Sequence, residues 1–347
     1  MSPLSVLKGE ITLVLNRRLN QQANTLAAEL QAQRTLSNLH SIELGNEPEF
    51  YEAGFPIIPS SGWSPAADGA SQWSWFSALA PTLGDIFQAG GYLQPPRWST
   101  AGLAPMLGSA INNVKTFSGH SYSQSACGGA STDLPSLMSH SNVLRLKIVL
   151  GLAVCGGGGI SPTFGAGLWI VDYVLQAILN HVDRLYLDQG TVGNCQYCWW
   201  GRFTTGAPFY GAAFVSEFLG SDGRRLIILD NGTPPIASYA IYNSAGAPVR
   251  LLVYNSNFYD GSGTRSSVEV SFSGGGIPAS GTKTANRFTG QNANSRVDQG
   301  GVVTIGGGGT FDGGCLSVGT QTRESVGVSG GLLSVNVQAS EALLVYL

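Results

Sequence analysis

The order of a strand, a helix and a second strand near the start of this chain constrains its fold more than any other feature. Residues 10–15, EITLVL, form a continuous apolar run that is typical of a buried strand. Residues 17–37 are rich in Ala, Leu, Gln and Glu, which favour a helix. LHSIEL at 39–44 is again a short apolar strand. This β-α-β order indicates a parallel sheet, so the chain is expected to begin as an α/β domain.

The same alternation continues less regularly to about residue 220. Helices are predicted at 75–91, 164–182 and 209–220, and strand-type segments at 112–123, 145–154 and 183–190. After residue 224 short alternating strands lie among Gly, Ser and Asn turns, at 225–230, 237–243, 249–255, 266–272 and 342–347. We therefore predict an α/β domain at 1–222, followed by an all-β, antiparallel β-sandwich domain at 223–347.

Composition and charge exclude several classes of partner. Only 11% of the 347 residues are charged, the formal net charge is −3, and Lys and Arg do not cluster, so no nucleic-acid partner is expected. No run of about eighteen apolar residues exists, so no membrane span is expected. The glycine-rich stretch 155–165 lacks a Gly-Lys-Ser/Thr ending, and the four histidines are scattered, so neither a cofactor nor a metal is expected.

Five cysteines and many small polar residues are compatible with an extracellular protein. Cys195 and Cys198 form a CxxC pair without the further ligands of a zinc site, which favours a structural disulfide or a buried pair. The sequon Asn231-Gly232-Thr233 is compatible with export. Residues 1–18 do not have the pattern of a signal peptide, so if the protein is exported, its signal is expected to be missing from this chain.

The segment IELGNEPEFY, residues 42–51, places Asn46 and Glu47 just after the second strand. Reactive groups of parallel α/β folds lie at the carboxyl ends of the strands. Pro48 disfavours helical geometry for Glu47, so an extended backbone and a restricted carboxylate direction are expected there. A glutamate at such a position can act as a proton donor. The alternative is that Glu43 and Glu47 belong to a surface turn that caps a helix.

At this point the chain resembles glycoside hydrolase family 79, the fungal β-glucuronidase and heparanase-like enzymes. LHSIELGNEPEFY is similar to the strand that carries the acid/base glutamate, and further similarity to the barrel covers 119–141, 156–177, 188–203 and 207–220. The stretch from 237 to 347 is similar to the family's C-terminal β-domain. The resemblance implies a (β/α)₈ TIM-type barrel followed by that β-domain, a glucuronic-acid-bearing glycan as partner, and an extracellular location.

The resemblance also implies roles for particular residues. Glu47 matches the general acid/base, and Asn46 matches the neighbour that binds the 2-hydroxyl of the sugar. His120 and Tyr122 match positions near the sugar. Tyr197 and Trp200 lie in the last barrel loop and either line the pocket or pack in the core.

One catalytic group of the family has no match. A retaining glycosidase needs a second carboxylate about 5–5.5 Å from the first, and Leu152 stands where that nucleophile is expected. The opening strands of the barrel and a helix before residue 146 are also unmatched, which implies an incomplete barrel. Asp133, Asp172, Asp188 and Glu217 are the other carboxylates considered, and none is placed as a nucleophile should be.

Two functional hypotheses follow. The first is a retaining β-glucuronidase-type glycoside hydrolase that releases terminal β-linked glucuronic acid, or its 4-O-methyl derivative, from glycans. In this hypothesis the chain is an incomplete gene product whose activity is lost or impaired because the nucleophile is missing. The alternative is a non-catalytic carbohydrate-binding protein. The loss of whole barrel segments favours the first hypothesis.

Overall fold

The computed structural model describes residues 9–124, 131–145, 159–187, 199, 204–232 and 235–347. By the contacts between its elements the chain divides into two units, residues 1–121 and 122–347. The helices at 164–219 pack with the antiparallel sheet in the second unit. The domain boundary near residue 222 stays a prediction.

Four parallel strands in the order β1-β2-β3-β4 form the sheet of the first unit. Its elements are β1 (Ile11–Leu15), α1 (Gln22–Thr35), β2 (Leu39–Leu44), α2 (Pro65–Leu83), β3 (Phe87–Tyr92), α3 (Thr100–Leu103) and β4 (Val114–Gly119), with 3₁₀ segments at Pro48–Phe50 and Ala104–Asn113. The predicted α/β character of this part of the chain is therefore present. All four strands end at the same edge of the sheet, because they run in the same direction.

One face of this sheet packs against the helices. Side chains alternate between the two faces of a strand, so Ile42 and Leu44 of β2 lie on the same side. They belong to a buried cluster that includes Phe87 of β3 and Phe76 of α2. The rings of Phe76 and Phe87 stack with centroids 4.7 Å apart. Burying side chains of this size contributes about 1.5–3 kcal/mol each, which holds α2 on the sheet.

The opposite face of the sheet carries a row of neutral polar side chains, one from each strand. We call Thr12, Ser41, Gln88 and Thr116 the polar row. The hydroxyl oxygens of Thr12 and Ser41 lie 2.9 Å apart, and Ser41 and Thr116 donate to the Gln88 Oε1 oxygen at 3.4 Å and 2.9 Å. These hydrogen bonds connect the four strands across the sheet.

A buried ion pair fixes the end of β2 to helix α2. Arg17 and Asp68 are both fully buried, and the Arg17 Nη2 group donates to the Asp68 carboxylate. Arg17 Nε also donates to the Leu44 carbonyl at 3.0 Å. Asp68 accepts further hydrogen bonds from the Tyr92 hydroxyl at 2.5 Å and from Gln72 Nε2 at 2.8 Å. The buried charges are therefore compensated, as buried charges must be.

Helix α1 buries a carboxyl group that has no such compensation. Glu29 is fully buried, and neither of its carboxylate oxygens has a hydrogen-bond partner among the described residues. Burial opposes ionisation and raises the pKa of Glu29 from 4.5 to about 7.

Two predicted boundaries in the first unit are wrong. Helix α2 begins at Pro65, ten residues before the predicted start, because Ser64 caps it by accepting a hydrogen bond from the Ala67 amide at 3.2 Å. The second part of the predicted helix at 75–91 is strand β3. Gly84, at φ 74°, ends the helix and allows the chain to turn into that strand.

The second unit combines four described helices with an antiparallel sheet of nine strands. The helices are α4 (Leu134–Met138), α5 (His140–Arg145), α6 (Phe164–Leu179) and α7 (Ala207–Leu219). The strands are β5 (Arg225–Ile228), β6 (Ile236–Tyr242), β7 (Pro248–Asn255), β8 (Ser267–Ser273), β9 (Ser280–Gly290), β10 (Val303–Ile305), β13 (Glu324–Ser329), β14 (Leu332–Gln338) and β15 (Glu341–Tyr346). They pair in the order β5-β6-β7-β15-β9-β13-β14-β8, with β10 beside β9, and β11 (Thr310–Phe311) and β12 (Ser317–Val318) form a separate hairpin.

The antiparallel sheet buries both of its faces. Leu252 and Leu344 lie on the face that packs against α6 and α7. Leu251 and Leu343 lie on the other face, in a cluster with Val335 of β14. The sheet therefore curls so that two of its parts pack against each other, and the predicted all-β character of the C-terminal part is present.

Helices α6 and α7 approach each other at two glycines. A Cβ atom on Gly211 would lie 2.1 Å from the Gly167 carbonyl oxygen, and one on Gly167 would lie 2.6 Å from the Ala207 carbonyl oxygen. Only glycine permits this backbone contact. The helices pack so closely that α6 is almost entirely buried.

A buried histidine connects helices α5 and α6 to the sheet. His140 Nδ1 lies 2.8 Å from Asp172, and His140 Nε2 lies 3.3 Å from Asp230, which precedes β6. Asp172 also accepts a hydrogen bond from the Tyr239 hydroxyl. Burial opposes the charge of the ring, but the two carboxylates outweigh it and raise the pKa of His140 to about 9.

Two strands were predicted in the second unit between residues 145 and 190. The strand predicted at 183–190 is wrong for 183–187, which have no strand pairing, and 188–190 lie outside the described residues. The strand predicted at 145–154 also falls outside them, apart from Arg145, which ends helix α5. In the described parts of the chain, no helix has the length and apolar character that crossing a membrane requires.

Candidate functional site

Backbone hydrogen bonds tie the loops after β2 and β4 to the end of β3. The Glu47 amide donates to the Gly91 carbonyl at 3.0 Å, and the His120 amide donates to the Tyr92 carbonyl at 2.7 Å. Glu47 and His120 follow strands that lie on either side of β3. The parallel topology therefore brings these two side chains to one edge of the sheet, which is the edge predicted for Glu47 from its position after a strand.

The backbone of Glu47 differs from the extended conformation predicted for it. Glu47 lies in the left-handed region, at φ 42° and ψ 61°. Pro48 disfavours the right-handed helical region for the residue before it, and the hydrogen bond to Gly91 holds Glu47 in this less populated alternative. Such a conformation costs about 1–3 kcal/mol in a residue other than glycine, and it persists only where the surroundings enforce it.

The His120 ring lies between two carboxylates. Its Nδ1 atom is 3.1 Å from Glu47 Oε1, and its Nε2 atom is 3.4 Å from Glu43 Oε1. The side chains of His120 and Glu47 are 24% and 18% exposed, whereas that of Glu43 is only 3% exposed. A ligand can therefore reach Glu47 and His120, while Glu43 lies beneath them.

The charged forms of His120 and Glu43 stabilise each other. Burial opposes the charged form of His120, but the negative charges of Glu43 and Glu47 and the hydrogen bond that the ring donates to Glu47 raise the pKa of His120 to about 10. Burial likewise opposes ionisation of Glu43, but hydrogen bonds from Ser118 and Gln88 and the positive charge of His120 outweigh it and lower the pKa of Glu43. At neutral pH the cluster thus contains an imidazolium ring and an ionised Glu43.

Two further residues hold Glu43, and the sequence analysis did not identify them as part of the site. Gln88 Nε2 donates to Glu43 Oε2 at 2.8 Å, and the Ser118 hydroxyl donates to the same oxygen. The sequence signals the face of Glu43 but not these partners, because Ser41 and Glu43 alternate with Ile42 and Leu44 in β2, whereas Gln88 and Ser118 lie on other strands. Ser41 and Glu43 share one face of that strand. The partners of Glu43 depend on the register of three strands, which the sequence did not provide.

The remaining predicted site residues are distributed as follows. Asn46 has an exposed side chain, and its backbone amide donates to the Tyr51 hydroxyl at 3.3 Å. Tyr122 is partly buried and is the first residue of the second unit. Tyr197, Trp200 and Leu152 lie outside the described residues.

The other carboxylates that were considered as nucleophiles have structural partners where the structure describes them. Asp133 precedes α4 and accepts a hydrogen bond from Ser136 at 2.5 Å. Asp172 is fully buried against His140. Glu217 of α7 accepts hydrogen bonds from Tyr346 and from Asn286. Asp188 lies outside the described residues.

Among the described residues no group of three or more His, Cys, Asp or Glu side chains is arranged to hold a metal ion. The cluster of the first unit offers proton transfer instead. Glu47 is a partly exposed carboxyl group on a fixed backbone with a charged hydrogen-bond donor beside it. Such a group can give a proton to a leaving oxygen or take one from water.

Comparisons with known proteins place these features in a family. Residues 238–344 match the glycosyl hydrolase family 79 C-terminal beta domain. A β-glucuronidase of Neurospora crassa is 27% identical over 276 residues, which cover 62% of this chain and 48% of that protein. A β-glucuronidase of Aspergillus niger is 28% identical over 273 residues, covering 65% of this chain and 49% of that protein. The chain thus spans about half the length of the curated relatives it matches.

A solved structure is more similar. It is a 4-O-α-L-rhamnosyl-β-D-glucuronidase from Fusarium oxysporum 12S in complex with Rha-GlcA, with 39% identity and a TM-score of 0.92. The match covers 99% of this chain and 78% of that one. Sequence identity and fold thus agree over nearly the whole chain, which confirms the predicted family: the chain belongs to glycoside hydrolase family 79.

Proposed function

We propose that this chain is a glucuronidase-type glycoside hydrolase whose parallel sheet is part of a (β/α)₈ barrel, with Glu47 as the general acid/base. The substrate class is a glycan that ends in β-linked glucuronic acid. Support comes from the family, from relatives named β-glucuronidase, and from the rhamnosyl-glucuronidase of similar structure. Asn46, which adjoins Glu47, would bind the 2-hydroxyl of the sugar.

The observation that carries this proposal is the position of Glu47. Its carboxylate is partly exposed at the carboxyl edge of a parallel sheet, with His120 Nδ1 at 3.1 Å. Ligands of α/β folds bind at this edge, because the loops that follow the strands form the open face there. In a retaining mechanism Glu47 would protonate the glycosidic oxygen as the C1–O bond breaks and a nucleophilic carboxylate bonds to C1, and would then take a proton from the water whose oxygen displaces that carboxylate.

The sequence at residue 152 limits this activity. A leucine cannot form the glycosyl-enzyme intermediate, and a retaining mechanism needs a carboxylate there. We therefore propose that the chain binds its substrate and hydrolyses it poorly. The same leucine favours the second candidate function, in which the protein holds a glucuronic-acid-bearing glycan without cleaving it.

Rescue by an external nucleophile distinguishes these functions. Azide is a small anionic nucleophile that can attack C1 in place of a carboxylate of the enzyme. A C1–N bond then forms, the C1–O bond breaks, and the leaving group departs with the bonding electrons. With 4-nitrophenyl β-D-glucuronide we expect little turnover alone and clear release of 4-nitrophenolate with azide, together with an α-configured glucuronyl azide. Glucuronide binding by calorimetry is measured in parallel.

The role of Glu47 is tested with two leaving groups. Nitrophenolate leaves without protonation, whereas the phenol of phenyl β-D-glucuronide needs a proton from the enzyme. Glu47→Gln should therefore retain azide-rescued turnover of the nitrophenyl substrate and lose that of the phenyl substrate. Glu52→Gln, which neutralises an exposed glutamate nearby, should retain both. If the glucuronide binds but azide does not restore turnover, the carbohydrate-binding function is established. If neither binding nor turnover is observed, both proposed functions are overturned.

A further inference from the structure

Glu43 is a charged residue that is buried within strand β2. Its side chain is 3% exposed, and it projects from β2 to the face of the sheet that carries the polar row. A buried carboxylate is retained only where hydrogen bonds and opposite charge compensate for its desolvation.

The surroundings of Glu43 aim its two oxygens in different directions. Oε2 accepts hydrogen bonds from Gln88 of β3 and Ser118 of β4. The Ser118 hydroxyl is itself fixed by the Gly91 amide, which donates to it at 3.0 Å. A Cβ atom on Gly91 would lie 3.3 Å from Glu43 Oε1, so the carboxylate also packs against the backbone of β3. With Oε2 held by these donors, Oε1 is left to face His120 Nε2.

His120 connects Glu43 to the edge of the sheet. Both ring nitrogens face carboxylate oxygens, Nε2 toward Glu43 and Nδ1 toward Glu47. Only the imidazolium form has an N–H group on each nitrogen and can donate in both directions. In the described part of the first unit these two glutamates are the charged groups that face the ring, and Gln88 and Ser118 beside them are neutral.

We infer that Glu43 is a positioning residue that acts through His120: it holds the ring doubly protonated and oriented, so that the ring in turn fixes the carboxyl group of Glu47. This inference rests on the proposed function of Glu47 and adds a residue to which no role has been assigned. Without Glu43 the ring loses an anionic partner, and its plane is no longer fixed. As the pH rises and the ring loses a proton, Glu47 then no longer has a constant hydrogen bond from His120 Nδ1.

Titration of the ring tests this inference without any substrate. The chain has four histidines, so ¹³C-labelled histidine gives few ring signals by NMR, and His120→Gln identifies the one that belongs to His120. In the unaltered protein that signal should remain that of an imidazolium ring up to about pH 10. In Glu43→Gln its midpoint should fall by about 1–3 pH units, because a nearby opposite charge is removed. An unchanged midpoint would overturn the inference.

Two controls separate this effect from loss of structure. Glu52→Gln removes a carboxylate of the same unit that is exposed, and it should leave the His120 midpoint unchanged. If Glu43→Gln loses its native circular dichroism, Glu43→Asp takes its place, because it keeps the charge and withdraws it from Nε2. Its His120 midpoint should fall by less than that expected for the glutamine variant, and no fall would count against the inference.

Kinetics then test the effect on Glu47. Under azide rescue, Glu43→Gln should lower kcat with phenyl β-D-glucuronide about 10-fold or more, which is less than the roughly 10²–10⁴-fold that proton transfer contributes as a whole, because Glu47 itself is kept. The nitrophenyl substrate should be affected much less. Equal losses on both substrates would indicate a structural role and overturn the positioning role. If neither substrate turns over in the unaltered protein, the proposed function fails, and the NMR titration still decides whether Glu43 controls His120.

Discussion

The buried carboxyl group of Glu29 leads to a prediction about stability that can be worked out in full. We expect Glu29→Gln to stabilise the protein at neutral and alkaline pH and to have little effect in acid. Both oxygens of Glu29 lack hydrogen-bond partners among the described residues, so the fully buried side chain favours its neutral form. Glutamine has nearly the same shape and never ionises.

The magnitude follows from the two pKa values. The unfolded chain releases the Glu29 proton near 4.5, and the folded chain releases it near 7. Because the folded pKa is raised, stability is highest below 4.5 and is lost as the pH rises through about 7. At 1.36 kcal/mol per pH unit, the loss reaches about 3 kcal/mol. This is a large fraction of the 5–15 kcal/mol by which proteins are typically stable.

Urea unfolding at several pH values measures this effect. The free energy of unfolding of Glu29→Gln minus that of the unaltered chain should be near zero at pH 4 and rise to about 3 kcal/mol at pH 8. Glu52→Gln, at an exposed position, should show no such rise. A difference that is the same at pH 4 and at pH 8 would refute the reasoning, because it would show that ionisation of Glu29 does not oppose folding.

Three further predictions concern buried contacts. Asp68→Ala leaves the buried Arg17 charge unpaired and should lower the free energy of unfolding by about 3–5 kcal/mol in urea denaturation. Gly211→Ala places a Cβ atom 2.1 Å from the Gly167 carbonyl oxygen and should cost at least about 1–3 kcal/mol, measured as a lower thermal midpoint. His140 has a raised pKa, so its contribution of up to about 3 kcal/mol should be present below pH 6.5 and be lost as the pH rises through about 9.

The first two predictions have matched controls, and the third is tested by a variant of His140 itself. Asp298→Ala removes an ion pair with Arg296 that is partly exposed, and it should cost less than about 1 kcal/mol. Gly327→Ala adds a methyl group with no atom within 4 Å, and its effect should stay within about 0.5 kcal/mol. His140→Gln should be less stable at pH 6.5 and should lose the decline toward pH 9. Equal effects of target and control, or an unchanged decline, would contradict the corresponding prediction.

The sequence predicted those parts of the fold whose signals are local. β2 coincides with the apolar run at 39–44. Helix α6 begins at the predicted Phe164 and ends at Leu179, three residues before the predicted end. Helix α4 was not predicted, because five residues carry too little periodicity to identify a helix. The end of α2 and the start of β3 were merged for a related reason. Only the turn at Gly84 separates the end of α2 from the apolar start of β3.

The candidate site was predictable to the extent that it depends on strand ends. Glu47 and His120 follow strands of one parallel sheet, and that order alone places them at one edge. Their contact through the imidazole ring, and the participation of Glu43, depend on how far β2, β3 and β4 are shifted along one another. That shift is set by packing and backbone pairing over the whole sheet. No local pattern of residues contains it.

The polar row described above has a consequence for how the sheet selects its pairing during folding. If one strand slips by a single residue, its side chains exchange faces. Ser41 would then enter the apolar layer beneath the helices, and Ile42 would lie among hydroxyl and amide groups. Misaligned sheets would thus lose hydrogen bonds and apolar contacts at once. The polar row therefore destabilises incorrect registers relative to the correct one. The edge that carries Glu47 forms only when all four strands are in the correct register.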